Sequence, residues 1–449
     1  MKKDEQQFMK MTTEPVGGLL VSLAVPAIIS MLVTTIYNIV DAAFVGTLGT
    51  SQSGATGIVN GFMAILQAIA FMCGQGAGSI MSRKLGQQNV KDASKYATTG
   101  IVMSFGIGFL FALVSFLFLN PLLNLLGSTP TIASYAGIYM RYILLSAPFF
   151  TSSFTMNNLL RYEGKAKFGT IGLMTGAVLN IGGDALFISG FKMGIAGAGL
   201  STALAQIISF SILISMYLRK KTVVSLSLQN LSGKVRDYLD IATTGLPSLI
   251  RQGLNAAASM VLNNCASIYG DGAVAAMSIV SRISFFPMAI AIGMGQGFQP
   301  ISGFNFGAGK IKRVKEAFLR ALAGGELALI LFAFPMCIFA PNLVKLLRDD
   351  AEVIEIGARA LRLLCVTQIA VPLTMMVEMG FQSTGQKVAA LISSSLRSGL
   401  FFIPTLLVLS KLRGLAGIQE AQPLSFLLTF TVSLVFMKYY FGMLDRNQK

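Results

Sequence analysis

The feature that most constrains this chain is an internal repeat with a constant offset of 221 residues. Pro26 matches Pro247, and Gly74-Gln75-Gly76 matches Gly295-Gln296-Gly297. The same offset relates further pairs: Gly86 and Gly307, Lys91 and Lys312, Leu125-Leu126 and Leu346-Leu347, Arg141 and Arg362, and Gly164 and Gly385. A constant offset over so many positions indicates two copies of one unit, each about half of the chain. In membrane proteins, two fused repeats commonly flank a substrate path.

Composition places those repeats in a membrane. Of the 449 residues, 54% are hydrophobic and 12% are charged, whereas soluble proteins carry about 25% charged residues. Apolar stretches such as 101–119, 323–340 and 424–437 approach the length that crosses a bilayer. The first apolar stretch is too long for a signal peptide and lacks a cleavage site, so we interpret it as a retained helix.

Hydropathy predicts an all-α membrane protein with twelve transmembrane helices, in two parallel six-helix repeats that form N and C lobes around a central cavity. The expected domains are an N-terminal lobe over 1–218, a cytoplasmic linker over 219–240 and a C-terminal lobe over 241–449. Residues 310–319 are expected to form an amphipathic interfacial helix. The predicted spans are 16–44, 53–82, 97–118, 130–159, 168–188, 194–218, 241–268, 273–304, 317–340, 357–381, 388–410 and 416–440.

The basic residues alternate from loop to loop. Lys and Arg gather at the N-terminus and in every second connection, as in Arg219-Lys220-Lys221, and are sparse in the opposite loops. This asymmetry is the positive-inside signal, and it predicts that both termini are cytoplasmic. It also explains the net charge of +16 through topology, which argues against a nucleic-acid partner.

The chain has no histidine, so proton chemistry near neutral pH would fall to carboxylates. The four cysteines (Cys73, Cys265, Cys337 and Cys365) are scattered through apolar stretches and form neither a disulfide framework nor a zinc pattern. No nucleophile–base set is visible. We expect a protein that is not an enzyme and that needs no cofactor beyond a coupling ion.

The first lobe contains carboxylates inside predicted spans. A charge inside a membrane span is costly and usually functional. Asp41 lies late in span one and Asp184 in span five; Asn180 precedes Asp184 by one helical turn. Depth estimates at 1.5 Å per residue place Thr202 and Tyr139 near the same level. Such hard oxygen ligands suit Na⁺, or one proton shared between two carboxylates. The alternative is a hydrogen-bonded network that only fixes helix packing.

The second lobe does not repeat this set. Leu262 and Thr405 stand where Asp41 and Asp184 stand in the first copy. Instead, Arg251, Arg282 and Arg397 lie inside spans, and Glu378 occupies the place of Asn157. Two interpretations stay open: a Glu–Arg ion pair that stabilises the lobe, or a polar substrate wall with net positive charge.

Glycine clusters around Gln75 and Gln296 suggest close helix approach, and either glutamine could face a cavity. Candidate substrate-contacting residues are Tyr139, Asn157, Gln75, Gln296, Arg251, Glu378 and Arg397.

Several of these motifs resemble the bacterial multidrug and toxic compound extrusion (MATE) family. They are Asn-Ile-Val-Asp41-Ala-Ala-Phe-Val-Gly, Asn157-Asn158-Leu-Leu-Arg-Tyr-Glu-Gly164, Gly-Ala-Gly-Leu-Ser-Thr202, Gly295-Gln-Gly-Phe-Gln-Pro300 and Gly303-Phe-Asn-Phe-Gly-Ala-Gly309. The resemblance spans nearly the whole chain. It implies a cation site at Asp41, Asn180, Asp184, Thr202 and Ala198, the last through its backbone carbonyl. The chain departs from many relatives at Gln419 and Ser425, where they have Trp and Asp.

The resemblance implies an antiporter that exports organic compounds in exchange for Na⁺ or H⁺ by rocker-type alternating access. The alternative is a lipid-linked precursor flippase of the same superfamily. We expect small organic substrates, a lipid bilayer as the surroundings, a monomer, and a multi-pass protein of the bacterial inner membrane.

Overall fold

A computed structural model describes residues 3–446 of the chain, and within that range every regular element is helical. The all-α fold predicted from the sequence is therefore confirmed. The backbone separates into two compact units: unit 1 holds residues 1–10 and 29–249, and unit 2 holds residues 11–28 and 250–449. The two internal boundaries, before Ile29 and before Ile250, are again 221 residues apart. These units divide the chain at different residues from the lobes that the sequence suggested.

Unit 1 contains the helices of the first repeat. Side chains cap two of them: Asn89 accepts a hydrogen bond from the Asp92 N–H (3.0 Å), and Thr129 accepts one from the Ile132 N–H (3.4 Å). The helices wholly within this unit are α3 (Thr50–Gly86), α4 (Val90–Leu117), α5 (Leu119–Leu125), α6 (Pro130–Tyr162), α7 (Ala166–Asp184) with a π-helical turn (Ala185–Gly190), and α8 (Ile195–Leu218).

Unit 2 contains the corresponding helices of the second repeat. Asp350 caps one of them by accepting from the Val353 N–H (3.2 Å), and Gly385 ends another with a left-handed φ of 85°. The helices are α10 (Asp271–Gly307), α11 (Ile311–Ile338), α12 (Ala340–Leu347), α13 (Ala351–Gln368), α14 (Val371–Thr384), α15 (Lys387–Ser395), a π-helical turn (Leu396–Phe401) and α16 (Phe402–Arg446).

Three helices contribute residues to both units: α1 (Lys3–Thr13), α2 (Val16–Gly46) and α9 (Val235–Ser267). Both long ones carry a proline close to the boundary, Pro26 in α2 and Pro247 in α9. Between α8 and α9 the chain forms one short 3-10 turn, Leu228–Asn230.

The helices account for twelve membrane crossings. Within residues 3–446, eight helical segments are long and apolar enough to cross by length and composition, and the bent pair α13 and α14, which meet at 53°, makes a ninth. One segment, 387–446, is two helices merged across a kink at Gly414, where φ is 61°. The remaining two crossings are the 33-residue helices α6 and α9, which are more polar.

Large apolar side chains on the outside of the helices indicate contact with lipid. On α4, Phe109, Leu110 and Leu117 are exposed, the last by 68%. A helix that is apolar on its exposed face as well as its buried face is typical of a membrane span. The chain is a multi-pass membrane protein.

The predicted interfacial helix over 310–319 is wrong. Residues from Ile311 onward form the first turns of the continuous 28-residue helix α11. Ile311, Val314, Ala317 and Phe318 are buried. The amphipathic pattern therefore marks the first turns of α11, where one face of the helix is buried. The strongly apolar part of the same helix follows.

The glycine clusters serve helix packing, as the sequence indicated. A Cβ added at Gly76 would lie 2.1 Å from the Ile241 carbonyl oxygen of α9, and one at Gly297 would lie 2.7 Å from Ala24 of α2. These two glycines are repeat equivalents. In each unit the backbones approach closely at the same place, and no larger side chain would fit.

Candidate functional site

Two carboxyl groups from different helices meet inside unit 1. Asp41 lies near the end of α2 and is 5% exposed; Asp184 is the last residue of α7 and is fully buried. The two side chains are close enough to interact with each other. A π-helical turn begins directly after Asp184. Such turns interrupt the regular helix and often accompany functional sites.

Asn180 connects this pair to α8. Its amide Nδ2 donates to Thr202 Oγ1 (3.1 Å) and to Ser201 Oγ (3.3 Å), and the Ser201 hydroxyl donates back to the Asn180 carbonyl (2.9 Å). Because Asn180 and Asp184 are four residues apart on α7, both reach the same face of α8. Asp184 also lies beside the Ser201 hydroxyl.

Tyr139 of α6 completes the group. Its hydroxyl lies 3.4 Å from Thr202 Oγ1, and the ring is buried in an apolar cluster that includes Val45, Ile188 and Ala198. Ala198 lies one turn before Thr202 on α8 and is fully buried. The structure therefore brings together five of the predicted first-lobe side chains, and it places Ala198 next to them.

The oxygens of this group are poorly satisfied. Within the described range 3–446, Asp41 Oδ1, both oxygens of Asp184 and Asn180 Oδ1 are buried and accept no hydrogen bond of good geometry. Neither carboxylate forms a salt bridge with a Lys or Arg in that part of the chain. Buried carboxylates without donors are costly as anions. They are chemically suited to take up a cation or a proton.

No three His, Cys, Asp or Glu side chains of residues 3–446 come together as a metal site would require. A cation here would depend on two carboxylates supplemented by amide, hydroxyl and carbonyl oxygens. That donor set suits hard monovalent ions such as Na⁺ better than zinc, which prefers nitrogen and sulfur.

Two residues of the site were not singled out from the sequence, Ser201 and Tyr37. Ser201 precedes Thr202, and its adjacency was the signal that could have found it. Tyr37 lies one turn before Asp41 on α2 and close to both carboxylates. A small pocket next to the group is lined by Thr34, Tyr37, Phe154, Leu173, Gly176, Ala177, Asn180, Gln206 and Ser209.

Two other candidates of unit 1 lie apart from this group in the hydrogen-bond pattern. Gln75 is fully buried, and its Oε1 accepts from the Ser248 hydroxyl (2.6 Å), while its Nε2 has no partner among residues 3–446. Asn157 is partly buried on α6 and packs beside Gly169 of α7.

In the part of unit 2 that the structure describes, residues 11–28 and 250–446, the position equivalent to Asp41 carries no carboxylate. Leu262 is buried at the position equivalent to Asp41. In this unit the Arg251 guanidinium of α9 forms an ion pair with the Glu378 carboxylate of α14, with side chains 9% and 6% exposed. Arg397 lies in the π-helical turn and forms no such pair within residues 3–446; its Nη1 donates to Met288 Sδ (3.3 Å). Gln296 is buried on α10.

All four cysteines are free, and three of them are buried. They act as small packing residues in apolar helices.

Comparison with known proteins gives a consistent result. The family model MatE matches residues 26–186 and 247–408, which are the two repeats. The multidrug export protein MepA of Staphylococcus saprophyticus is 27% identical over 428 residues, covering 93% of this chain and 92% of that protein. MepA of Staphylococcus aureus is 26% identical over 417 residues, with 93% and 92% coverage.

Solved structures share the fold. An outward-facing multidrug resistance MATE family transporter of the MOP superfamily superposes with a TM-score of 0.93 at 23% identity, covering 99% of both chains. The MATE transporter VcmN of Vibrio cholerae gives 0.89 at 24% identity, covering 94% of this chain and 96% of that one.

Proposed function

Because this chain belongs to the MatE family and is therefore a membrane transporter rather than an enzyme, we propose that it exports small organic compounds in exchange for a cation, Na⁺ or H⁺. Its relatives in two Staphylococcus species are named multidrug export proteins, which supports organic drugs as the transported class.

The observation that carries the proposal is the unsatisfied carboxylate pair of unit 1. Asp41 and Asp184 are buried close together, and Asp41 Oδ1 and both Asp184 oxygens accept no hydrogen bond of good geometry within residues 3–446. Taking up one positive charge would relieve their repulsion and their desolvation. If the site is stable only with a cation bound, binding or release of the cation shifts the equilibrium between the conformations of the transporter.

The coupling between cation and substrate then follows from thermodynamic linkage. If the ion binds one conformation more tightly, it shifts the equilibrium toward that conformation, and the substrate must favour the other. In a protein of two six-helix repeats, the simplest cycle is a rocking motion of one half against the other. We propose this alternating-access cycle for the chain. The flippase alternative has no specific observation in its favour.

The proposed membrane location and orientation rest on the basic residues of the loops and on the bacterial relatives. We propose the bacterial plasma membrane, with both termini in the cytoplasm, since basic residues gather on that side. A single chain contains both repeats, so the proposed working unit is a monomer.

The test is transport in proteoliposomes with Na⁺ and pH gradients imposed separately. Purified wild-type protein is reconstituted, a fluorescent drug such as ethidium is supplied, and uptake against its own gradient is followed. The proposal expects one of the two gradients to drive uptake and its dissipation to abolish it. Uptake that depends on neither gradient would refute cation coupling.

Drug resistance in a transporter-deficient host separates export from lipid flipping. Expression of the antiporter should raise tolerance to several unrelated compounds. Rescue of a flippase-deficient strain without any change in drug tolerance would favour the alternative.

A further inference from the structure

The charges of unit 2 do not balance. Two guanidinium groups, Arg251 and Arg397, lie near one carboxylate, Glu378, and each acts electrostatically on the others. Arg251 is in direct contact with Glu378 and takes its charge. Arg397 is partly buried and forms no salt bridge of its own within residues 3–446, so the three groups keep a net charge of +1 among apolar helices. A charge in such surroundings is costly and usually functional.

The donors of Arg397 are almost unused. Its only hydrogen-bond acceptor within residues 3–446 is the thioether sulfur of Met288, at 3.3 Å. A thioether is a weak acceptor, whereas a guanidinium carries five N–H donors arranged as a planar fork. That fork matches the two oxygens of a carboxylate or phosphate.

The surroundings hold the Arg397 backbone firmly. Arg397 lies in the π-helical turn Leu396–Phe401, and the Ser425 hydroxyl of α16 donates to its carbonyl (2.9 Å). The neighbouring Ser398 hydroxyl donates to Asn255 Oδ1 of α9. The turn is therefore anchored to two helices, so the guanidinium extends from a fixed point. Pre-positioned donors are what an anion-binding site requires.

The corresponding helices of unit 1 form without such a charge cluster. The equivalent positions in unit 1 are Ser30 for Arg251, Asn157 for Glu378 and Gly176 for Arg397, and all three are uncharged. Unit 1 has the same helices without these charges. The architecture that the two repeats share therefore does not require these charges.

We propose that Arg397 binds an oxyanion group, such as a carboxylate, on the organic substrate, so that this transporter accepts organic anions and zwitterions. Glu378 is in contact with Arg251 rather than with Arg397, so the Arg397 donors stay available to a ligand. Met288 supplies an adaptable apolar contact beside the charge. This inference rests on the proposed export function and specifies the class of compound that unit 2 recognises.

The experiment compares fluorescein, which carries a carboxylate, with a cationic rhodamine ethyl ester built on the same ring system. Binding to purified protein in detergent is followed by fluorescence anisotropy, and export is followed in proteoliposomes. We expect Arg397→Gln to weaken fluorescein binding roughly tenfold or more, and to leave rhodamine binding unchanged or stronger. Arg397→Lys should retain part of the fluorescein affinity, since it keeps the charge without the fork.

The matched control is Arg362→Gln, which removes the same charge from an exposed arginine of unit 2. Its fluorescein affinity should equal that of the wild type. Melting temperatures of all variants show that they are folded. Equal fluorescein affinity in wild type and Arg397→Gln, or no fluorescein binding by the wild type, overturns the inference. So does binding that phosphatidylglycerol micelles abolish without any fluorescein export, because the anion would then be a lipid headgroup.

The two proposals fail differently. Absence of gradient-driven transport for both dyes contradicts the export function, while the anisotropy measurement still decides the role of Arg397. Export of rhodamine alone, with no fluorescein binding, leaves export intact and removes the anion site.

Discussion

The Arg251 guanidinium forms an ion pair with the Glu378 carboxylate, and both side chains are at least nine-tenths buried. The pair joins α9 to α14 within unit 2. Each charge makes burial of the other tolerable, and removal of one leaves the other uncompensated.

Glu378→Gln is therefore expected to lower the free energy of unfolding by about 3–5 kcal/mol. The double variant Glu378→Gln with Arg251→Gln should recover much of that loss, because no unpaired charge from this pair remains. Thermal melting in detergent gives both values. If the single variant melts like the wild type, the pair does not stabilise the unit.

Asp41→Asn and Asp184→Asn are each expected to reduce gradient-driven transport to the background level of empty liposomes. Neutralising one carboxylate removes the repulsion that cation or proton uptake relieves, and the driving force for the cycle is lost. Asp92→Asn is the control, because this carboxylate is exposed at the start of α4. Wild-type uphill transport by both buried-site variants would show that the coupling site is elsewhere.

Stability should depend on pH through Glu163, which follows α6 and is fully buried. Burial raises the pKa of the Glu163 carboxyl above its ordinary value, against the opposing effect of the Lys165 ammonium at 3.1 Å. Since the folded protein holds this proton more tightly than the unfolded chain, the stabilisation is present below the ordinary pKa. It is lost as pH rises through the raised value.

As pH rises from acidic buffer, the wild-type melting temperature should therefore fall more than that of Glu163→Gln. The glutamine can still accept the hydrogen bond from the Val223 N–H. Glu316→Gln, which changes an exposed carboxylate on α11, should keep the wild-type pH dependence. Identical slopes in all three proteins would contradict the assignment to Glu163.

Gly245→Ala should destabilise unit 1. A Cβ at this position would lie 1.9 Å from the Met72 carbonyl oxygen, which is backbone and cannot move aside. Overpacking of this kind costs about 1–3 kcal/mol or more. Gly253→Ala on the same helix has nothing within 4 Å and should be neutral or slightly stabilising. Equal melting temperatures for the two variants would mean that α3 and α9 are not this close.

Topology can be tested by cysteine labelling in intact cells. Gln87→Cys lies in the exposed connection between α3 and α4, and Thr50→Cys lies at the exposed first residue of α3, at the opposite end of that helix. The positive-inside asymmetry predicts that an impermeant maleimide labels the second and not the first. The parent protein with its four native cysteines is the background control. Labelling of Gln87→Cys from outside would invert the orientation.

Much of the architecture was decided by the sequence alone, because the membrane allows few solutions. A backbone in hydrocarbon must satisfy its own hydrogen bonds, so long apolar stretches become helices. Twelve such stretches and a 221-residue repeat were enough to predict the helix count and the pairing of Pro26 with Pro247. Helix ends were harder to predict from the sequence. Residues such as those from Ile311 to Phe318 combine polar and buried positions, and hydropathy alone cannot tell an interfacial helix from the start of a span.

The candidate cation site was partly readable for the same reason, since Asp41 and Asp184 are rare charges in apolar helices. Their contact, and the part played by Ser201, depended on how α2, α7 and α8 pack, which periodicity does not specify.

In unit 2 the sequence left two roles open for three charges. Only the tertiary structure decided which arginine Glu378 pairs with, because an ion pair depends on distances of a few ångströms between helices far apart in the chain. As a result Arg397 forms no salt bridge within residues 3–446, a consequence of helix packing that no local sequence pattern encodes.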